Sequence, residues 1–248
     1  MNQSPIPKAL SILFKSKIKA LLMGGQACIL YGAAEFSRDI DLAILVSAEN
    51  LAILRGVLAE LRADTAYVPE LTQEVLMKGH ACHFRCNAPG LEGLRIDVMG
   101  KQRGVADFPE LWKRRVEIDL TGVGRVPVMA LRDLVRGKKT QRDKDWPMIR
   151  RLIEADFYRQ GIDAPAASVR FWLAECRTPE ILQTLSGKYP ELTRETAARR
   201  PLLNIVLAGN LPEVSRMLRE EEEEERKLDR EYWASLSKDL EAWRRERR

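Results

Sequence analysis

An apolar strand headed by two aspartates, Asp39-Ile40-Asp41-Leu42-Ala43-Ile44-Leu45-Val46, constrains this chain more than any other feature. Strand side chains alternate between faces, so Asp39 and Asp41 project together while Ile40, Leu42 and Ile44 enter a core on the other side. Two like charges side by side are unfavourable unless a cation or a raised pKa relieves the repulsion. A divalent ion, magnesium or manganese, is the natural relief. Magnesium takes oxygen ligands and is usually held by one or two carboxylates together with substrate phosphates.

Upstream, Gly24-Gly25-Gln26-Ala27-Cys28-Ile29-Leu30-Tyr31-Gly32 reads as a strand end, a tight turn and a short helix. Glycine lets backbone amides approach a phosphate, and a helix N-terminus adds partial positive charge. The turn is therefore expected to hold a triphosphate opposite the carboxylates. Downstream, Leu94-Arg95-Ile96-Asp97-Val98-Met99 is a second short strand whose acid faces away from Ile96 and Val98. If this strand lies beside the first, Asp97 completes a carboxylate triad. In a two-metal arrangement such a triad clamps the attacking and leaving oxygens, and Asp97 is the group expected to ligate the second ion or draw the proton from the attacking hydroxyl.

A glycine turn, an acid-x-acid pair about a dozen residues on and a third acid on a later strand together resemble the DNA polymerase beta-like nucleotidyltransferase superfamily. The segments GGQACILYG and FSRDIDLAIL resemble in particular the branch containing the toxins of abortive-infection type IV toxin-antitoxin pairs. Lys138-Lys139-Thr140-Gln141-Arg142-Asp143-Lys144-Asp145 is similar to that branch's downstream lysine and R-x-K-D segment, and the resemblance spans residues 18 to 155. It implies an α/β (α+β) fold, a nucleotidyltransferase-type mixed sheet with flanking helices, followed by a mainly helical C-terminal domain. It also implies transfer of a nucleoside monophosphate from a nucleoside triphosphate to a hydroxyl or phosphate acceptor, RNA or protein. Nucleotide contacts fall to Gly24, Gly25, Lys138 or Lys139 and Arg142, with Asp145 near the site. Many members carry Gly-Ser where this chain has Gly24-Gly25, which removes one hydroxyl, although Gly-Gly is typical of the toxin branch.

Simpler roles stand beside these. Gly24-Gly25 also suits a plain strand-to-helix turn, and Asp39 a cap or a surface pair with Arg38. Lys138, Lys139, Arg142 and Lys144 also suit a solvated helix end, and Asp145 a helix start, with Trp146-Pro147 following. A catalytically silent nucleotide- or partner-binding module and an antibiotic-modifying nucleotidyltransferase are the competing functions. The net charge of +5 points away from an acidic pocket for a cationic drug and towards triphosphate or nucleic acid.

With 248 residues and 45% apolar content, the chain is long enough for one or two domains with a sizeable core. No apolar run reaches the roughly 18 residues that span a bilayer, and the Met1-Asn2-Gln3-Ser4-Pro5 start lacks an apolar leader core, so a soluble, cytoplasmic protein is expected. Four irregularly spaced cysteines, Cys28, Cys82, Cys86 and Cys176, do not form a disulfide framework. His80, Cys82, His83 and Cys86 crowd four potential zinc ligands into one segment, but the spacing lacks a paired C-x2-C knuckle, and packing of small buried thiols accounts for the cysteines.

The expected division is a catalytic domain over residues 1–135 and a helical domain over 136–248. Within the first, strands are expected at Lys17–Met23, Ala81–Asn87 and Leu94–Gly100, a helix from the Ser47 cap to Arg62, and a hairpin joining Val116–Leu120 to Arg125–Met129. Trp146, Ile149, Ile153 and Phe157 mark a helix ending near Gly161. Further helices are expected at Ala166–Cys176, from a start with Thr178 as N-cap and Pro179 at the first helical position, and across Thr193–Leu207. Glu220–Glu225 reads as a solvated helix face. It precedes an apolar stripe, Leu228, Tyr232, Leu236, Leu240 and Trp243, with Arg244, Arg245, Arg247 and Arg248 complementing the helix end. That stripe suits packing on its own domain, self-association or docking of an antitoxin partner.

Overall fold

The computed structural model describes residues 4–246, so Arg247 and Arg248 lie outside the described residues. The chain divides into two compact units. The first comprises the chain up to Leu30, Ala34–Gly137 and the chain from Tyr232 onward; the second comprises Tyr31–Ala33 and Lys138–Glu231. The C-terminal stretch, expected in the helical domain, thus belongs with the sheet-bearing unit.

In chain order the first unit contains α1 (Pro5–Lys15), β1 (Ala20–Met23), α2 (Gly24–Leu30), β2 (Asp39–Ile44), α3 (Ala48–Glu60), β3 (Ala63–Thr65), α4 (Gln73–Lys78), β4 (Ala81–Cys86), β5 (Arg95–Met99), α5 (Phe108–Arg114), β6 (Val116–Leu120), β7 (Gly124–Val128) and α6 (Leu131–Gly137). The strands form one mixed sheet in the order β3-β4-β5-β2-β1-β7-β6. Pairs β2–β5 and β1–β7 are parallel and the rest antiparallel. The mixed sheet with flanking helices is the fold class expected, and the Val116–Val128 hairpin is present as β6 and β7.

One sheet face is continuously apolar: Leu22, Ile40, Leu42, Ile44, Ile96 and Val98 are fully buried. Each such side chain contributes about 1.5–3 kcal/mol relative to exposure. The order β1–β2 is locked by Asn50, which is buried at the start of α3. Its amide nitrogen donates to the carbonyls of Lys19 and Leu45, and its Oδ1 accepts from the Lys19 amide. Asn50 is itself fixed because the Ser47 hydroxyl caps α3 by accepting the Asn50 amide.

The second unit is helical: α7 (Asp145–Gln160), α8 (Ala166–Glu175), α9 (Pro179–Lys188), α10 (Pro190–Ala197), α11 (Leu202–Leu207) and the first part of α12 (Leu211–Glu246). Trp172 is fully buried, with its indole donating to Asp156 at 2.9 Å. Three local expectations are corrected here. Thr178 precedes α9 but makes no capping bond; its hydroxyl donates to Glu154 instead, at 2.6 Å. The single helix across Thr193–Leu207 is two, because Pro201 has no amide to continue α10 and the preceding Arg200 turns inward. Arg200 is buried, with its guanidinium on the carbonyls of Leu173 and Cys176 and bidentate on Glu221.

The glutamate run is likewise more than a solvated face. Glu221 holds Arg200 and Arg177, Glu222 holds Arg226, and Glu225 lies 3.7 Å from Lys139. Beyond it, in the first unit, Leu236 is buried, and the Trp243 ring lies 4.8 Å from the buried His80, whose Nε2 is 3.2 Å from Asp239. The end of the apolar stripe therefore packs within its own chain. Among the described residues no helix is long and apolar enough to cross a membrane.

Candidate active site

Strand register assembles the acidic face. Asp41 stands opposite Asp97 across the parallel β2–β5 pair, Asp39 stands opposite Arg95, and His83 on β4 stands opposite Asp97. Residues paired at one level share a face, and side chains two apart on a strand return to it. Asp39, Asp41, Arg95, Asp97 and His83 are thereby brought to one face of three adjacent strands, opposite the apolar core.

The glycines determine how closely helix α2 approaches that face. Gly24 has φ +62, and a Cβ there would fall 1.9 Å from Asp41 Oδ2; a Cβ on Gly25 would fall 2.4 Å from Ser37 Oγ. A side chain is excluded at both positions, at Gly24 by backbone conformation as well. The Gly25 amide donates to Asp41 Oδ2 at 3.3 Å, so it is directed at the carboxylate. Ser37 Oγ fills the space that a side chain at position 25 would take. Gln26, buried in α2, donates to the carbonyls of Ser37 (3.1 Å) and Asp39 (3.4 Å), holding the entry to β2 against the helix.

Asp97 is held by two neighbouring side chains. Its Oδ1 accepts from His83 Nδ1 at 2.8 Å and from Arg95 Nε at 3.2 Å, and its Oδ2 accepts from Arg95 Nη2 at 2.6 Å. The same Nη2 lies 3.6 Å from Asp39 Oδ2. Burial alone would raise the Asp97 carboxyl, but the hydrogen bonds from His83 and Arg95, and then their charges, outweigh it and hold the group below the usual carboxylate range. Arg95 is correspondingly held above its ordinary value by its bond to Asp97.

The metal that the resemblance implies needs hard oxygen donors. Asp39 and Asp41 offer hard oxygen donors on one strand face, the one or two carboxylates with which magnesium is held beside phosphates. A two-ion clamp is not laid out here: among the described residues no three His, Cys, Asp or Glu group so as to hold a metal ion, and both Asp97 oxygens already accept hydrogen bonds. The same holds for zinc at His80–Cys86. Cys82 and Cys86 are buried on the apolar face, where burial pushes their thiols up to about 12 and about 11, far from the thiolate a metal needs.

Lys138, Lys139, Arg142 and Asp145 belong to the second unit. Asp145 is buried at the start of α7 and accepts from Thr140 Oγ1 (2.7 Å), Arg142 Nε (2.7 Å) and Lys138 Nζ (3.2 Å). Burial would raise its carboxyl, yet the Lys138 charge, the Thr140 hydroxyl and Arg142 together keep it low. Lys139 pairs with Glu175 at 2.8 Å. With Trp146, Arg177, Arg200 and Glu221 it lines a groove of about 800 Å³ within this unit.

His83, Arg95, Gln26 and Ser37 were not singled out for the site from sequence. Arg95 was legible in principle, because it lies two residues before Asp97 and so shares its face. His83 was weighed only as a zinc ligand, yet its position one residue after a buried cysteine already placed it on the opposite face.

No family model and no curated protein matches the chain. Among solved structures, the chain is similar to a candidate nucleotidyltransferase from Thermotoga maritima, at 18% identity over 51% of this chain and 75% of that one, with a TM-score of 0.36. It is similar to the Helicobacter pylori protein JHP933 at 14% identity over 94% and 95%, with a TM-score of 0.41. A candidate nucleotidyltransferase from Helicobacter pylori matches at 12% identity over 89% and 98%, with a TM-score of 0.42.

Proposed function

We propose that the chain is a nucleotidyltransferase that moves a nucleoside monophosphate from a nucleoside triphosphate to a hydroxyl or phosphate on RNA or protein. The observation that carries this reading is the register-fixed meeting of Asp39, Asp41 and Asp97 on one sheet face, with two glycines drawing a helix start against Asp41. An acid cluster that sacrifices packing on an otherwise apolar sheet calls for a cationic ligand.

Asp39 and Asp41 would hold magnesium or manganese together with the triphosphate, and that ion would neutralise charge on the phosphates. Gln26 and Ser37 keep the Asp39 backbone in place, and the Gly25 amide orients Asp41. Asp97, held ionised by two donors, is a poor proton acceptor; its part is to fix Arg95 and His83 on the face. The acceptor oxygen bonds to the α-phosphorus as the bond to pyrophosphate breaks, pyrophosphate leaves with the electron pair, and the proton of a hydroxyl acceptor passes to solvent water. Resemblance to the abortive-infection branch supports a macromolecular acceptor and the toxin half of a pair with an antitoxin partner. A phosphate-binding part for Lys138, Lys139 and Arg142 rests on the resemblance alone.

The test is incubation with each α-labelled nucleoside triphosphate, magnesium and total cellular RNA or protein, alongside Asp41→Asn. Wild-type label transfer with a loss of at least about a hundredfold in the folded variant is expected. Unchanged transfer by the folded variant would sink the assignment. Triphosphate binding without transfer favours the silent nucleotide-binding module, to which the engagement of Asp97 by Arg95 and His83 also lends weight.

A further inference from the structure

Strand β4 carries the polar face one strand beyond Asp97. His83 and Arg85 alternate with the buried Cys82, Phe84 and Cys86, so both stand on the face that Asp97 presents. His83 is opposite Asp97, and the exposed Arg85 is opposite Arg95, with Asp64 of β3 on its other side. The Asp64 carboxylate accepts from Asn87 at 2.8 Å. The Tyr67 ring stands edge to face with the His83 ring, 6.1 Å between centroids and 76° between planes, and stays 56% exposed. Its segment is pinned to β4 on both sides: the Ala66 amide donates to the His83 carbonyl at 2.8 Å, and Cys82 Sγ donates to the Glu70 carbonyl at 3.6 Å. A ring so held, with more than half its surface in water, is a platform for a flat partner.

Its place relative to the phosphates decides which partner. The glycine turn follows β1 and meets Asp41 from one side of β2, whereas β5, β4 and Tyr67 lie on the other. On the proposed transfer the triphosphate occupies the glycine-turn side. In-line displacement brings the acceptor oxygen to the α-phosphorus opposite the departing pyrophosphate, which is the side of Tyr67. We infer that Tyr67 seats the terminal base of an RNA acceptor and Arg85 meets its backbone, so that the acceptor is RNA with an unpaired end. The inference rests on the proposed transfer for its direction. Unpaired RNA bases are held by stacking on aromatic rings, with cations alongside for the phosphates. A serine or threonine hydroxyl on a protein brings no flat surface to such a ring.

The experiment measures binding of a fluorescein-labelled single-stranded RNA of about 12 nucleotides to the full chain by anisotropy, with magnesium and without triphosphate. Tyr67→Ala is expected to weaken binding about 5- to 150-fold, the range for one stacked base, and Tyr67→Phe, which keeps the ring, to stay within about threefold of wild type. Tyr67→Leu replaces the alanine variant if melting shows that it does not fold, with the same loss expected. Arg85→Gln is expected to flatten the salt dependence of binding. A loss as large in Tyr67→Phe, or RNA binding unmoved in the folded ringless variants, overturns the inference. So does weakened binding of triphosphate alone in Tyr67→Ala, which gives the ring to the incoming base. Label transfer to protein with no binding of RNA sinks the inference and leaves the transfer standing. RNA binding that depends on the ring, with no label transfer by wild type, upholds the RNA seat and sinks the transfer.

Discussion

The acidic face of the sheet and the charged interior of the helical unit distribute charge in opposite ways. On the sheet, Arg95 bridges Asp97 and Asp39, and Asp97 also meets His83. In the helical unit, Asp145 alone is met by a lysine, an arginine and a hydroxyl, and Arg200 by a bidentate glutamate and two carbonyls. A buried charge matched on every side is a structural clasp, whose worth appears when one partner is removed. Acids that strand register gathers at one level of a sheet face repel one another, and such a gathering is where a cationic ligand gains most. The contrast teaches which acids to read as function: those brought together with their own kind.

The largest effect that sharpens the contrast is in the clasp. Arg200→Ala removes the bidentate partner of Glu221, leaving it the longer pair with Arg177, and takes a donor from two carbonyls, and a loss of about 3–5 kcal/mol in urea unfolding is expected. Arg95→Ala, on the half-exposed acidic face, is expected to melt much nearer to wild type. Equal losses in the two variants would erase the distinction. Next, Gly24→Ala forces a non-glycine residue to positive φ and drives its Cβ into the Asp41 carboxylate. A cost of about 1–3 kcal/mol is expected, together with loss of label transfer. A folded, fully active Gly24→Ala would show that the approach of α2 to Asp41 does not matter.

The smallest effect is in acid. Asp97 and Asp145 both have folded-state carboxyls below the usual range, so each contributes stability that is complete above its unfolded value, about 3.9, and is lost as pH falls through the folded value. Melting temperature is expected to drop below about pH 4. Asp145→Asn should make the drop shallower, and an unchanged pH slope in that variant would show that its clasp contributes no ionic stability.

Much of this was legible locally. The alternation of Asp39-Ile40-Asp41-Leu42 placed two acids on one face and a core on the other, because strand periodicity needs no knowledge of neighbours. The Ser47 cap, the helix carried by Trp146, Ile149, Ile153 and Phe157, and its end at Gly161 followed from the same short-range rules. Where local signals competed, they misled. Thr178 looks like a cap but spends its hydroxyl on Glu154, a residue on another helix, and the glutamate run looks solvated but meets arginines distant in sequence.

By itself, then, the sequence determined most strands of the sheet-bearing unit, the helix that Ser47 caps and the pairing of Asp39 with Asp41, since these depend on spacing within a few residues, while α1, β3, α4, α5 and α6 carried no such signal. Only the tertiary structure decided that Asp97 faces Asp41, that Arg95 lies between Asp97 and Asp39, that His83 serves Asp97, and that the end of α12 packs on His80. Those are matters of strand register and long-range packing. They are set by which distant segments bury their apolar faces together, and no spacing along the chain encodes that choice.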